Sequence, residues 1–157
     1  MNFISPSKGP MPLQGVLEDI LDFMETKPDE KFNLIIGTDS HTKTYACFVT
    51  AIIIHQVGKG ARYYYHKKRQ RKIASLRQKL FYEAAISLET ASKVADFLAK
   101  RGQEKLNVEI HLDMGNQGET RSLIKEIVGM VSGSGFNAKI KPDSCGASTV
   151  ADKHTKF

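Results

Sequence analysis

Apolar residues recur at helical spacing over Leu13, Val16, Leu17, Ile20 and Met24, predicting an amphipathic helix over 13–27 that Lys27-Pro28 closes. The period then changes. Asn33 to Asp39 is nearly continuous in apolar residues and reads as a buried strand. Thr44 to Val57, rich in β-branched residues, reads as a second, and Gly58-Lys59-Gly60 turns the chain into a third over Ala61 to Arg69. Helical spacing returns from Ile73 to Lys100 and stops at Arg101-Gly102. Val108 to Asp113 predicts a fourth strand, Glu119 to Val131 a helix, Phe136 to Ile140 a short fifth strand, and Ala147 onward a last short helix. Residues 1–12, with three prolines, predict a flexible or loosely docked arm.

This order predicts an α/β fold in one domain over 13–157. Three strands form an antiparallel meander, and later strands enter through helical crossovers as parallel neighbours. The result is a mixed five-stranded sheet with helices on both faces. In that topology the fourth strand lies beside the first. Both strands end in an aspartate, Asp39 and Asp113, so their carboxylates are expected to converge at the sheet rim. Converging anions repel, and they persist where a cation sits between them.

Helix phase selects a third carboxylate. The stripe of Ile73, Leu76, Leu80, Ala84, Leu88, Ala91, Ala95 and Leu98 marks the sheet-facing side of the long helix. Glu83 lies roughly 80° from its centre, whereas Glu89 and Asp96 lie roughly 140–160° away, so Glu83 is the candidate. Its bland alternative is a boundary glutamate paired with Lys79. Near the C-terminus Asp152 is favoured over Asp143, whose setting in Pro142-Asp-Ser-Cys-Gly suits a turn or a helix cap. His41 reads as a solvated loop residue or a contact to substrate or a metal. His111 alternates with Asp113 on one face of its strand and reads as a satisfied half-buried histidine or one that orients a neighbour. Gly115-Asn-Gln-Gly-Glu-Thr matches no phosphate-loop spacing.

Charge adds a partner to this picture. The chain of 157 residues carries a formal net charge of +6, and between Arg62 and Lys79 it has eight Lys or Arg and no Asp or Glu. Arg62, Tyr64, Lys67, Lys68, Arg69, Arg71 and Lys72 are the candidates for contacting a phosphate backbone and stacked bases. A solvated basic edge strand is the alternative. Cys47 and Cys145 share no metal-ligand spacing and read as idle or buried thiols. No apolar run is long enough to span a bilayer, and no secretory signal is evident, which makes the cytoplasm the default location.

The ordered set of Asp39, Glu83, Asp113 and Asp152 resembles the ribonuclease H-like superfamily. The stretches Ile36-Gly-Thr-Asp-Ser-His41, His111-Leu-Asp-Met-Gly-Asn-Gln-Gly-Glu119 and Ala151-Asp-Lys-His-Thr-Lys156 are similar to its YkuK-type branch. The resemblance covers about residues 30–156, with helix 13–27 as an addition. It implies a nuclease that uses two Mg²⁺ or Mn²⁺ ions to hydrolyse phosphodiester bonds of RNA, DNA or a hybrid. On that pattern Asp39 bridges both ions, Glu83 and Asp113 share one, Asp152 completes the other, and His154 assists proton transfer or product release. Two other functions remain open. One is a noncatalytic nucleic-acid-binding or adaptor domain on the same fold, and the other is a metal-dependent phosphatase for small substrates.

Overall fold

The computed structural model describes residues 1–115, 118–141, 143 and 144, the side chains of 118–120 excepted. In chain order the elements are β1 (Asn2–Ser5), β2 (Gly9–Pro12), α1 (Leu13–Glu25), β3 (Phe32–Thr42), β4 (Ala46–Gln56), β5 (Gly60–Gln70), α2 (Leu76–Lys100), β6 (Asn107–His111), a 3-10 turn (Gly118–Leu123), α3 (Ile124–Gly133) and β7 (Asn137–Lys139). The expected last helix, from Ala147 onward, lies outside the described residues.

The strands form one sheet in the order β2-β1-β5-β4-β3-β6-β7. β3, β4 and β5 are the expected antiparallel meander, while β6 pairs parallel with β3 and β7 pairs parallel with β6. The sheet has seven strands rather than five because residues 1–12 are not a loose arm. They form a hairpin in which β1 pairs with β2 and joins the edge of β5 through Ile4 opposite Tyr65. Phe3 is fully buried there, and Gly9 takes φ 81° in the turn. Pro10 and Pro12 fall on the outermost strand, where a missing N–H breaks no ladder.

Strand alternation divides the sheet into two faces. Leu34, Ile36, Ile52, Ile54, Tyr64 and Ile110 share the main core with the buried faces of α1, α2 and α3. The opposite face carries two smaller clusters, Ile35, Ala51 and Ile53 against Tyr63 and Tyr65, and Cys47 and Val49 against Tyr65. Among the described residues no helix contributes to those two clusters.

Candidate functional site

β3 and β6 run in the same direction, with Gly37 opposite His111, so extending the register two residues brings Asp39 level with Asp113. The chain beyond β6 is clamped by backbone bonds. Leu112 N–H donates to the Lys139 carbonyl (2.9 Å), Lys141 N–H donates to the Met114 carbonyl (2.8 Å), and Ser144 Oγ donates to the Leu112 carbonyl (2.8 Å). The two aspartate side chains meet closely enough to share a hydrogen bond. Asp39 Oδ1 also accepts from the Ser40 N–H at 2.8 Å, which fixes its rotamer.

Lys141 Nζ lies 2.7 Å from Asp113 Oδ1. Burial opposes ionisation of Asp113, but the ammonium of Lys141 and the hydrogen bond from Asp39 outweigh it and hold this carboxyl below the usual carboxylate range.

Glu83 sits on α2 two turns from its start and is 5% exposed. It lies inside the buried stripe rather than at its flank, because that stripe also contains Ser87 and Thr90. Counting apolar residues alone missed them. These hydroxyls face partners on the sheet: Thr38 Oγ1 is 2.8 Å from Ser87 Oγ and 3.2 Å from Thr50 Oγ1. One residue pair further along, Ser40 Oγ donates to Glu83 Oε2 at 2.7 Å. Ser40, beside Asp39 in sequence, therefore fixes both carboxylates, one through its N–H and one through its hydroxyl. Burial pushes Glu83 up to about 8 against the Ser40 hydrogen bond, the charges of Asp39 and Asp113 push the same way, and Lys79 opposes them.

The alternation of β3 directs Thr38 and Ser40 toward α2 and Asp39 toward the other face, so Glu83 and the aspartate pair flank the end of one strand. An all-oxygen carboxylate set suits a hard divalent cation. Among the described residues, however, no three His, Cys, Asp or Glu side chains come together as a cage for an ion. The described part is a pair with a third carboxylate close by. Asp152 and His154 lie outside the described residues.

Of the remaining candidates, Asp143 is exposed and its N–H donates to the Ile140 carbonyl at 2.8 Å, as a turn residue does. His111 is more buried than half, at 6% exposure, with Nε2 3.0 Å from Glu109 Oε1. His41 is exposed at the end of β3.

The basic stretch is not one surface. Along β5 the side chains of Arg62, Tyr64, His66 and Lys68 leave toward the helices, and those of Tyr63, Tyr65, Lys67 and Arg69 leave the other way. Arg71 and Lys72 follow in the exposed link to α2. Tyr64 is unsuited to stacking on a base: it is 1% exposed, and its hydroxyl donates to Asp19 on α1. Burial and the Asp19 carboxylate both push that phenol up. Arg62 is also drawn inward, with its guanidinium 3.7 Å from Asp19 and stacked 4.4 Å from the centre of the Phe23 ring.

A family model described as Ribonuclease H-like matches residues 15–156. A protein of Bacillus subtilis (strain 168), Uncharacterized protein YkuK, is 37% identical over 166 residues, covering 98% of this chain and 96% of that one. No solved structure matches. The mixed sheet, with its antiparallel meander extended by parallel strands, agrees with both findings, and the chain belongs to the ribonuclease H-like superfamily as a member of the YkuK-type family.

Proposed function

We propose that this protein is a divalent-metal-dependent hydrolase of phosphodiester bonds in nucleic acid, with RNA, DNA or a hybrid as substrate. The observation that carries the reading is the meeting of Asp39 and Asp113 across the parallel β3–β6 pair, with Glu83 in their electrostatic field. Asp39, Glu83 and Asp113 would hold Mg²⁺ or Mn²⁺, with Asp152 as the fourth ligand. Bound ions of this kind lower the pKa of a water and stabilise charge on a leaving oxygen.

The chain's own side chains have distinct tasks. Ser40 orients Asp39 and Glu83. Lys141 offsets the charge of Asp113 until a cation or a phosphate arrives. Lys67, Lys68, Arg69, Arg71 and Lys72 supply positive potential that attracts a polyanion. His154 is assigned to proton transfer or product release.

Asp39→Asn keeps the size of the side chain and removes its charge. Cleavage of a labelled oligonucleotide panel in Mg²⁺ or Mn²⁺ should fall on the order of 10²–10³-fold, the scale for losing one group that stabilises transition-state charge. Unchanged cleavage by a folded variant would sink the reading.

The alternative of a noncatalytic nucleic-acid-binding domain draws support from the Lys141–Asp113 ion pair, which engages one of the candidate ligands. Salt-sensitive binding without turnover on any substrate would favour it. A small-substrate phosphatase has no need of the basic stretch, so charge reversal at Lys67, Lys68 and Arg69 would leave its rate nearly unchanged.

A further inference from the structure

Beside Glu83, on the helix face of the sheet, a cavity of about 260 Å³ opens between β4, β5 and α2. Its walls include Phe48, Thr50, His66, Lys68, Tyr82 and Ile86. Two of these lie opposite the strand that carries the site: Phe48 pairs with Ser40 and Thr50 with Thr38. A third, Tyr82, immediately precedes Glu83 on α2. The cavity therefore adjoins Ser40 and Glu83 on the helix face, while Asp39 and Asp113 leave toward the other face at the same end of the strand pair.

The accessible aromatic wall is Tyr82, backed by Phe48 at 1% exposure; Lys68 forms a cationic corner, and the Glu89 carboxylate, 3.4 Å from Lys93 Nζ, lies on the rim. Phe48 and Tyr82 meet edge to face, with ring centres 4.8 Å apart and planes at 63°. Lys68 Nζ donates to the Tyr82 hydroxyl at 2.9 Å and stands 5.6 Å from the centre of that ring. His66 Nδ1 donates to the Asn2 carbonyl at 2.7 Å, which anchors that ring. Thr50 contributes a hydroxyl at the floor, already bonded toward Thr38. The volume falls below the range of drug-sized sites, so it suits one planar group rather than a stacked pair.

We infer that this cavity receives a single unstacked nucleobase from a single-stranded segment whose backbone runs past Glu83 toward the end of the β3–β6 pair. The inference rests on the nucleic-acid substrate proposed above and narrows it to strands with unpaired bases. Charge selects the occupant. Lys68 lines the cavity, Glu89 on its rim is offset by Lys93, Arg71 and Lys72 follow β5 in the exposed link, and the chain carries a net charge of +6, so a polyanion is favoured over a neutral or cationic peptide. Stacking on an aromatic wall tolerates any base, while a continuous duplex has no base to offer it.

The test compares two fluorescent single strands of equal length and charge, one of mixed sequence and one fully abasic, with anisotropy read in EDTA so that cleavage plays no part. The base-bearing strand should bind about tenfold tighter, the scale of one base stacked on an aromatic side chain. Ala85→Trp, which fills the mouth of the cavity, and Tyr82→Leu, which removes the aromatic wall, should each reduce that ratio to near one, whereas Tyr82→Phe should keep it. Equal binding of the two strands by the wild-type protein overturns the inference. So does an undiminished ratio in folded Ala85→Trp and Tyr82→Leu. Asp39-dependent cleavage without base preference would count against the cavity alone, and base preference without such cleavage would count against the hydrolase alone.

Discussion

Ser40 links the two halves of the candidate site, because its N–H holds Asp39 and its hydroxyl holds Glu83. Glu83 pays for that position with a pKa of about 8, against an ordinary value of 4.5. The sign of the consequence is fixed. Between those two values the folded chain keeps a proton that the unfolded chain has released, so this group's contribution to stability is complete below about pH 4.5 and is lost as pH rises to about 8. In metal-free buffer Glu83→Gln should remove that slope, leaving Tm nearly unchanged at pH 5 and raising it at pH 8.5 by an amount equivalent to about 1–2 kcal/mol. Thermal melts at the two pH values check this, and an equal effect at both would contradict it. Ser40→Ala should push Glu83 further up by removing a hydrogen bond that favours its charged form, visible as a loss of Tm that continues to higher pH. The sequence showed Glu83 through helix phase alone, but not how deeply it is buried, because Ser87 and Thr90 do not register as core residues until Thr38 is seen facing Ser87. Lys141 was equally hidden, since only the turn after β7 carries it back to Asp113.

At the scale of elements, the main surprise is the N-terminal hairpin. Three prolines in twelve residues signalled a loose arm, yet two of them occupy the sheet's outer strand, and the hairpin is locked by groups distant in sequence. Asp19 on α1 joins Lys8 from the hairpin with Tyr64 and Arg62 from β5. Burial opposes ionisation of Asp19, but hydrogen bonds from Lys8 and Tyr64 and the nearby cations hold its carboxyl below the usual range. Its contribution is therefore present above the unfolded pKa and lost as pH falls through the folded one, the reverse of Glu83. Asp19→Ala leaves the Tyr64 hydroxyl and two cations without their shared acceptor and should cost about 1–3 kcal/mol, measured by urea unfolding at pH 7. Phe3→Ala empties a fully buried site in the same region and should cost about 3–5 kcal/mol. A loss below about 0.5 kcal/mol in both variants would mean that the hairpin is dispensable to the fold. Tyr64 was misjudged for the same reason. Nothing local in Tyr63-Tyr-Tyr65 distinguishes the middle ring, and its inward direction follows from the register of β5 against β4 and from Asp19 waiting beneath it.

Across the whole molecule, the meander, the long crossover helix and the parallel return strand were legible from hydrophobic period and connection length. They correctly placed β6 beside β3, and that adjacency brings the aspartates together, although Asp39 lies three residues inside the end of β3 and Asp113 two residues beyond β6. The basic stretch was legible as composition but not as a surface, because alternation along β5 divides it between two faces. Binding should consequently depend most on Lys67, Lys68, Arg69, Arg71 and Lys72 and less on Arg62, which already serves Asp19. Neutralising Arg71 and Lys72 together should lower the slope of log binding constant against log salt by about 1–2, with Arg62→Gln changing it by less. Equal effects would show that the division of faces is irrelevant to binding. The central claim is that Asp39 and Asp113 form a cation site, and Mn²⁺ binding followed by electron paramagnetic resonance tests it most directly. The wild-type protein should take up Mn²⁺ with release of a proton, and both Asp39→Asn and Asp113→Asn should lose that binding while staying folded. Wild-type protein that binds no Mn²⁺, or variants that bind it as well as wild type, would contradict the account.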